Sequence, residues 1–161
     1  MPLRFNLRHL EHQNLTLEGE LAVAELDLDG MDELIRVNRP VWHRLEVERH
    51  EQGVLVHGSL KFSLLCECAR CLKAFEQRLE FPDWTCHLPL EGEDKVLIAN
   101  DCVDLTPYIR EDILLAFPQH PLCESECRGL PAVPAGANQS SGASQTKTQV
   151  SAWAELNKLK L

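Results

Sequence analysis

Two short cysteine clusters constrain this chain more than any other feature: Cys66-Glu67-Cys68-Ala69-Arg70-Cys71 and, past a long intervening stretch, Cys123-Glu124-Ser125-Glu126-Cys127. A Cys-x2-Cys turn sets two thiolates on one side of a tetrahedral metal, and a second close pair closes the other side. The spacing predicts a structural zinc site with Cys68, Cys71, Cys123 and Cys127 as ligands, on condition that the two pairs meet in the fold. Four thiolates leave such a centre negative, and Arg70, Lys73 and Arg128 lie where they can offset the charge. Cys66 competes because it has the same strand parity as Cys68, but it continues an apolar row and reads as a core residue. His120, three residues before Cys123, is the substitute ligand if one cysteine is out of reach. Cys86 and Cys102 sit among apolar neighbours and read as core. Two other readings of the cysteines stay open: metal-free buried thiols, and a thiol redox or metal-transfer centre built on Cys68-Ala69-Arg70-Cys71. The second lacks the strand and helix order that a thioredoxin-like motif requires.

A chain of 161 residues with 44% apolar content suits one domain with an appendage. The net charge of -9 opposes sequence-independent binding to phosphate backbones, which calls for a basic face. The acid is uneven, however. Residues 61–80 carry four Lys or Arg against three Asp or Glu, whereas residues 81–130 carry three against ten. The first cluster therefore occupies a mildly basic window, and Arg70, Lys73, Arg78 and Arg128 are the candidate contacts for RNA or another partner. No export signal or membrane span is legible, and the cysteine count of seven is odd, so a reducing compartment, the cytoplasm, is expected. Neither a nucleophile and base motif nor a phosphate-binding glycine loop nor a paired-carboxylate pattern is present. Glu111-Asp112 reads as a solvated helix face. No enzymatic activity and no small-molecule substrate are expected.

Along the chain, residues 3–30 alternate loosely and read as strands broken by turns, while residues 32–37 are undecided between a helical turn and a connection. Val41 to His50 has a two-residue period, with Val41, His43, Leu45 and Val47 on one face, and Glu51-Gln52-Gly53 is its turn. Val54, Val56, Gly58, Leu60, Phe62, Leu64 and Cys66 then share one parity in the most strand-like run of the sequence. A further strand is expected from Leu72 to about Leu88, making a knuckle-bearing hairpin. A helix follows, with Thr106 as N-cap, Pro107 in its first turn, Leu105, Ile109, Ile113 and Phe117 on one stripe, and Pro118 as its stop. Composition shifts to Pro, Ala, Gly, Ser and Gln over 131–148, a flexible linker. Residues 149–161 regain helical spacing through Trp153, Leu156 and Leu159. The expected architecture is α+β: a β-rich antiparallel sheet or partial barrel over 1–130, one packed helix, a zinc-knuckle-like hairpin and a short C-terminal helix.

Three segments together carry a resemblance: Cys68-Ala69-Arg70-Cys71-Leu72-Lys73-Ala74-Phe75, then Val103-Asp104-Leu105-Thr106-Pro107-Tyr108 running on to Phe117-Pro118, then Pro121-Leu122-Cys123 with Cys127-Arg128-Gly129-Leu130. This combination resembles the YceD family, the large ribosomal RNA subunit accumulation proteins, from about Leu17 to Leu130. Trp153 to Leu159 is similar to the family's closing helix. The resemblance implies a non-enzymatic factor for accumulation of large-subunit ribosomal RNA and for ribosome assembly. Its expected partner is pre-ribosomal large-subunit RNA or a basic ribosomal protein. The chain departs from the family pattern in its extra Cys66 and in reading Arg128-Gly129-Leu130-Pro131 after Cys127, without the further cysteine common there.

Overall fold

The computed structural model describes residues 1–131, of which Met1–Leu130 form one compact unit. The remainder of the linker expected over 131–148 and the helix expected over 149–161 lie outside the described residues. In chain order the elements are β1 (Arg4–Asn6), a 3₁₀ turn (Leu7–Glu11), β2 (Leu15–Leu21), α1 (Val23–Leu26), β3 (Ile35–Val37) and β4 (Val41–His50). They continue with β5 (Gly53–Glu67), β6 (Ala74–Pro89), β7 (Ile98–Ala99), β8 (Cys102–Asp104) and α2 (Thr106–Leu115). The protein is β-rich and antiparallel throughout, as the period-two runs require.

The 15-residue β5 is the spine. One of its edges pairs first with β4 and then with β3, the other pairs with β6 along nearly its whole length, and β2 adds outside β4. Val54, Val56, Leu60, Phe62, Leu64 and Cys66 are all buried, as are Val41, His43, Leu45 and Val47 on β4. The alternation is a burial pattern because successive side chains of a strand point to opposite faces of the sheet. Gly58 interrupts the row at a bulge where the β5 to β6 register shifts. Its φ is +151°, and a Cβ there would sit against the Arg44 carbonyl oxygen, so only glycine lets β4 approach β5 this closely.

β1, β8 and β7 form a second, three-stranded sheet, and the β7 to β8 hairpin turns through Asn100 and Asp101, both at positive φ. Helix α2 buries Ile109 and Ile113, and Leu105 just before it, in the core shared with the large sheet. Its tie to β6 is polar as well: Trp84 Nε1 donates to Asp112 Oδ2 at 2.6 Å. Thr106 is not the N-cap. That position is Leu105, which makes no side-chain cap; Asp104 Oδ1 accepts from the Thr106 N–H at 2.9 Å, and the Thr106 hydroxyl accepts from the Leu3 N–H. Phe117 lies beyond the last helical residue.

The undecided stretch before β4 contains β3, which exists because Ile35 and Val37 pair opposite Cys66 and Leu64. The strand reading of residues 3–30 fails at Val23–Leu26. There a short helix ends at Asp27 in the left-handed conformation, and Arg110 from α2 donates to the Leu26 and Asp27 carbonyl oxygens. That cap is supplied 84 positions away in the chain, so nothing local announces it.

Candidate metal centre

The loop between β5 and β6 is a tight knuckle. The Cys68 N–H donates to the Lys73 carbonyl and the Leu72 N–H to the Cys68 carbonyl, both at 2.9 Å. Leu72 takes φ +61°, an unfavourable angle for a branched apolar side chain, and stands exposed at the tip. The second cysteine pair reaches this loop because Pro118 ends the helical segment and the extended exit brings Pro121 alongside, where its carbonyl accepts from the Ala69 N–H at 2.8 Å. A turn then returns the chain, closed by the Cys127 N–H on the Glu124 carbonyl.

These contacts bring the two pairs together. Cys68 Sγ is 3.7 Å from Cys127 Sγ, Cys71 Sγ is 3.6 Å from Cys123 Sγ, and all four sulfurs lie within 4.8 Å of one another. None of the seven cysteines is in a disulfide. Four ligands at about 2.3 Å around a tetrahedral ion stand roughly 3.8 Å apart, so the donor set has the size and the softness that Zn²⁺ takes. Cys66 is fully buried one turn of the pleat earlier, between Ile35 and Phe75 in the register, and belongs to the core. His120 is exposed and outside the cluster, and Cys86 and Cys102 are half-buried rather than enclosed.

Backbone hydrogen bonds, burial and the neighbouring sulfurs act on the cluster's thiols in opposite directions. Hydrogen bonds from the backbone at Cys123, and then at Cys71 and Arg70, outweigh the opposing effect of burial and hold the Cys68 thiol down at about 6. Cys123 goes the other way, pushed up to about 12 by its side-chain hydrogen bond with Cys71, by burial and by the other sulfurs. A backbone hydrogen bond at Gly129 draws Cys127 down, but burial and the sulfurs of Cys71 and Cys68 keep it above the ordinary thiol value. One site easily ionised beside others that resist is what close thiols impose on each other, and a divalent cation in their midst removes the conflict by displacing the protons.

The candidate contact residues divide into two places. The Arg70 guanidinium donates to the Cys127 carbonyl at 2.8 Å, locking one cysteine loop to the other, and Gly129 lies against the Arg70 backbone. Lys73 and Arg128 are exposed on these same loops. Arg78 is elsewhere, about 13 Å along β6 from Ala74. It lines a groove of about 240 Å³ with Arg39 and Lys61, which sequence reading had passed over. Glu76 and Glu80 share that groove, 3.5 Å from Arg39 and Lys61 respectively, so its cations are largely offset.

Comparison with known protein families matches residues 56–160 to "Large ribosomal RNA subunit accumulation protein YceD". The chain belongs to the YceD family. The matched region contains every residue of the cysteine cluster, the knuckle and α2. Uncharacterized proteins of Mycobacterium tuberculosis (strain H37Rv) and Mycobacterium bovis are 30% identical over 94 residues, which are 53% of this chain and 45% of each relative. The matched part is thus less than half the length of those relatives. No solved structure matches the chain. Among the described residues, no helix is long and apolar enough to cross a membrane.

Proposed function

We propose that this YceD-family chain is a non-enzymatic factor in the accumulation of large-subunit ribosomal RNA, acting in ribosome assembly in the cytoplasm. Its β-rich body is held closed by one structural zinc on Cys68, Cys71, Cys123 and Cys127, and it binds pre-ribosomal RNA or a basic ribosomal protein. The observation that carries the functional reading is the family match over residues 56–160. The zinc reading rests on four sulfurs within 4.8 Å of one another. All four coordination positions are filled by protein in such a site, so its role is to hold loops rather than to do chemistry.

The loops it holds present Lys73 and Arg128, next to an Arg70 that is occupied with the Cys127 carbonyl. In an otherwise acidic molecule this is the surface for RNA phosphates, while the acidic faces suit a basic protein. The test is binding of pre-ribosomal RNA and of ribosomal proteins before and after nuclease treatment, with the full chain and with the Lys73→Glu, Arg128→Glu double variant. Loss of RNA retention in a variant that keeps its zinc supports RNA contact. Retention of a ribosomal protein after nuclease, unchanged by the variant, places the contact on the acidic faces. A chain that retains neither contradicts the proposal.

One feature favours a redox or metal-transfer centre instead: backbone hydrogen bonds hold the Cys68 thiol below its ordinary value, which favours the thiolate. Cys68 is completely buried, however, and a nucleophilic thiolate needs access. Reversible formation of a disulfide within the cluster at mild oxidant, without unfolding, would be the mark of that reading.

A further inference from the structure

We propose that Glu46, Glu48 and His57 form a second metal site, one that takes an exchangeable divalent cation on the solvent face of the large sheet. The β4 to β5 hairpin sets His57 directly opposite Glu46, and the strand period puts Glu48 on the same face two residues on. One donor atom from each side chain lies within 4.8 Å of the other two. His57 Nε2 stands 3.7 Å from Glu48 Oε1 and 4.0 Å from Glu46 Oε2. These separations are too long for hydrogen bonds, which need about 2.7 to 3.2 Å. They are close to what a shared ion requires, since bonds of about 2.0 to 2.2 Å put the ligands of a tetrahedral ion roughly 3.4 Å apart. Closing the site takes roughly 0.3 Å between His57 and Glu48 and roughly 0.6 Å between His57 and Glu46, with the two carboxylates drawn together from within 4.8 Å, a movement open to side chains that are a third or more exposed.

The surroundings leave this negative charge to a cation. Arg44, the nearest arginine on that face of β4, is turned to Glu18 at 3.8 Å. Thr16 and Thr85 are the register partners of Glu46 and His57 on the outer sides, and neither brings a charge. Asn14 Nδ2 donates to Glu48 Oε1 at 3.0 Å and fixes that carboxylate from outside the trio, in the manner of the groups that orient metal ligands. Two carboxylates and one imidazole are borderline to hard donors, so Mn²⁺ and Ni²⁺ suit them as well as Zn²⁺, in contrast to the all-thiolate centre. Three protein ligands leave positions open to water or to a partner's oxygen.

The probe is Mn²⁺ added to the 161-residue chain whose cysteine centre is already loaded with zinc, read by paramagnetic broadening of assigned NMR signals. The site predicts saturable broadening centred on the His57 ring, at about one equivalent, with zinc retained. His57→Gln, and separately Glu46→Gln with Glu48→Gln, should weaken Mn²⁺ binding by about tenfold or more while the circular dichroism and the zinc content stay unchanged. Broadening that is absent at about 1 mM Mn²⁺, or the same in both variants as in the parent, overturns the proposal.

Discussion

Cys71 Sγ lies 3.6 Å from Cys123 Sγ although the two residues are 52 positions apart in the chain. Between them run β6, the β7 to β8 hairpin and α2, so joining these sulfurs through a metal fixes the exit of the helix against the tip of the longest hairpin. A cross-link that closes a loop of this length removes chain entropy from the unfolded state equivalent to about 4 kcal/mol. With a metal bound, the cluster would be a clasp on everything threaded between its halves.

Replacing any one of Cys68, Cys71, Cys123 or Cys127 by Ser should abolish stoichiometric zinc retention and lower stability by about 2 to 5 kcal/mol. Cys66→Ala should keep one zinc per chain and lose only about 1 kcal/mol of core packing. Metal analysis and denaturant unfolding on the five variants separate the two roles.

Gly58→Ala should destabilise the protein by about 1 to 3 kcal/mol, since the new methyl meets the Arg44 carbonyl and φ +151° is unfavourable for alanine. Zinc content should be unaffected in the folded fraction. Urea unfolding measures the loss, and a midpoint equal to that of the parent would contradict the close approach of β4 to β5.

Burial opposes the charge on Asp104, but the Thr106 hydroxyl and N–H and the Arg4 guanidinium outweigh it and hold the carboxyl below its ordinary value. A depressed folded-state value means that the stabilisation is fully present above the unfolded value of about 3.9 and is lost as pH falls through the folded value. Asp104→Asn should cost about 0.5 kcal/mol at pH 7, the worth of its partly exposed ion pair with Arg4, with the gap to the parent narrowing below about pH 4. Unfolding curves of the pair across that range give the answer directly, since acid effects common to both proteins cancel.

Arg78→Glu should leave RNA retention nearly intact, whereas Lys73→Glu with Arg128→Glu should reduce it and lower the slope of log affinity against log salt by about 2, one unit per lost phosphate contact. The reason is placement: Arg78 lies in the groove with Glu76 and Glu80, away from the cysteine loops. Equal loss from both variants would mean that RNA tracks β6 rather than the knuckle.

How far the fold was legible depended on the range of the forces involved. The burial of Leu45, Leu60, Leu64 and Cys66 follows from alternation in long strands, but parity does not separate Cys66 from Cys68; what separates them is that β5 ends at Glu67, which leaves Cys66 in the sheet and Cys68 in the knuckle. α1 and β3, four and three residues long, were not legible because Arg110 and the Leu64 to Cys66 segment hold them from elsewhere in the chain. Thr106 was misplaced as the cap because its hydroxyl finds its partner in Leu3, 103 positions away, while the N-cap falls on Leu105. The meeting of the cysteine pairs was a condition in the sequence and is a distance in the structure. The trio of Glu46, Glu48 and His57 was missed although its signal was present. A two-residue turn at Glu51-Gln52 pairs His50 with Gly53, and counting outward from that pair sets Glu46 opposite His57.

The most direct test of the clasp is the zinc content of the chain purified without added metal, with thiols counted before and after chelation. A zinc-held clasp predicts about one zinc per chain and four thiols that become reactive only when a chelator removes it. Metal-free protein that is fully folded, with the thiols of Cys68, Cys71, Cys123 and Cys127 unchanged by chelator, would contradict it.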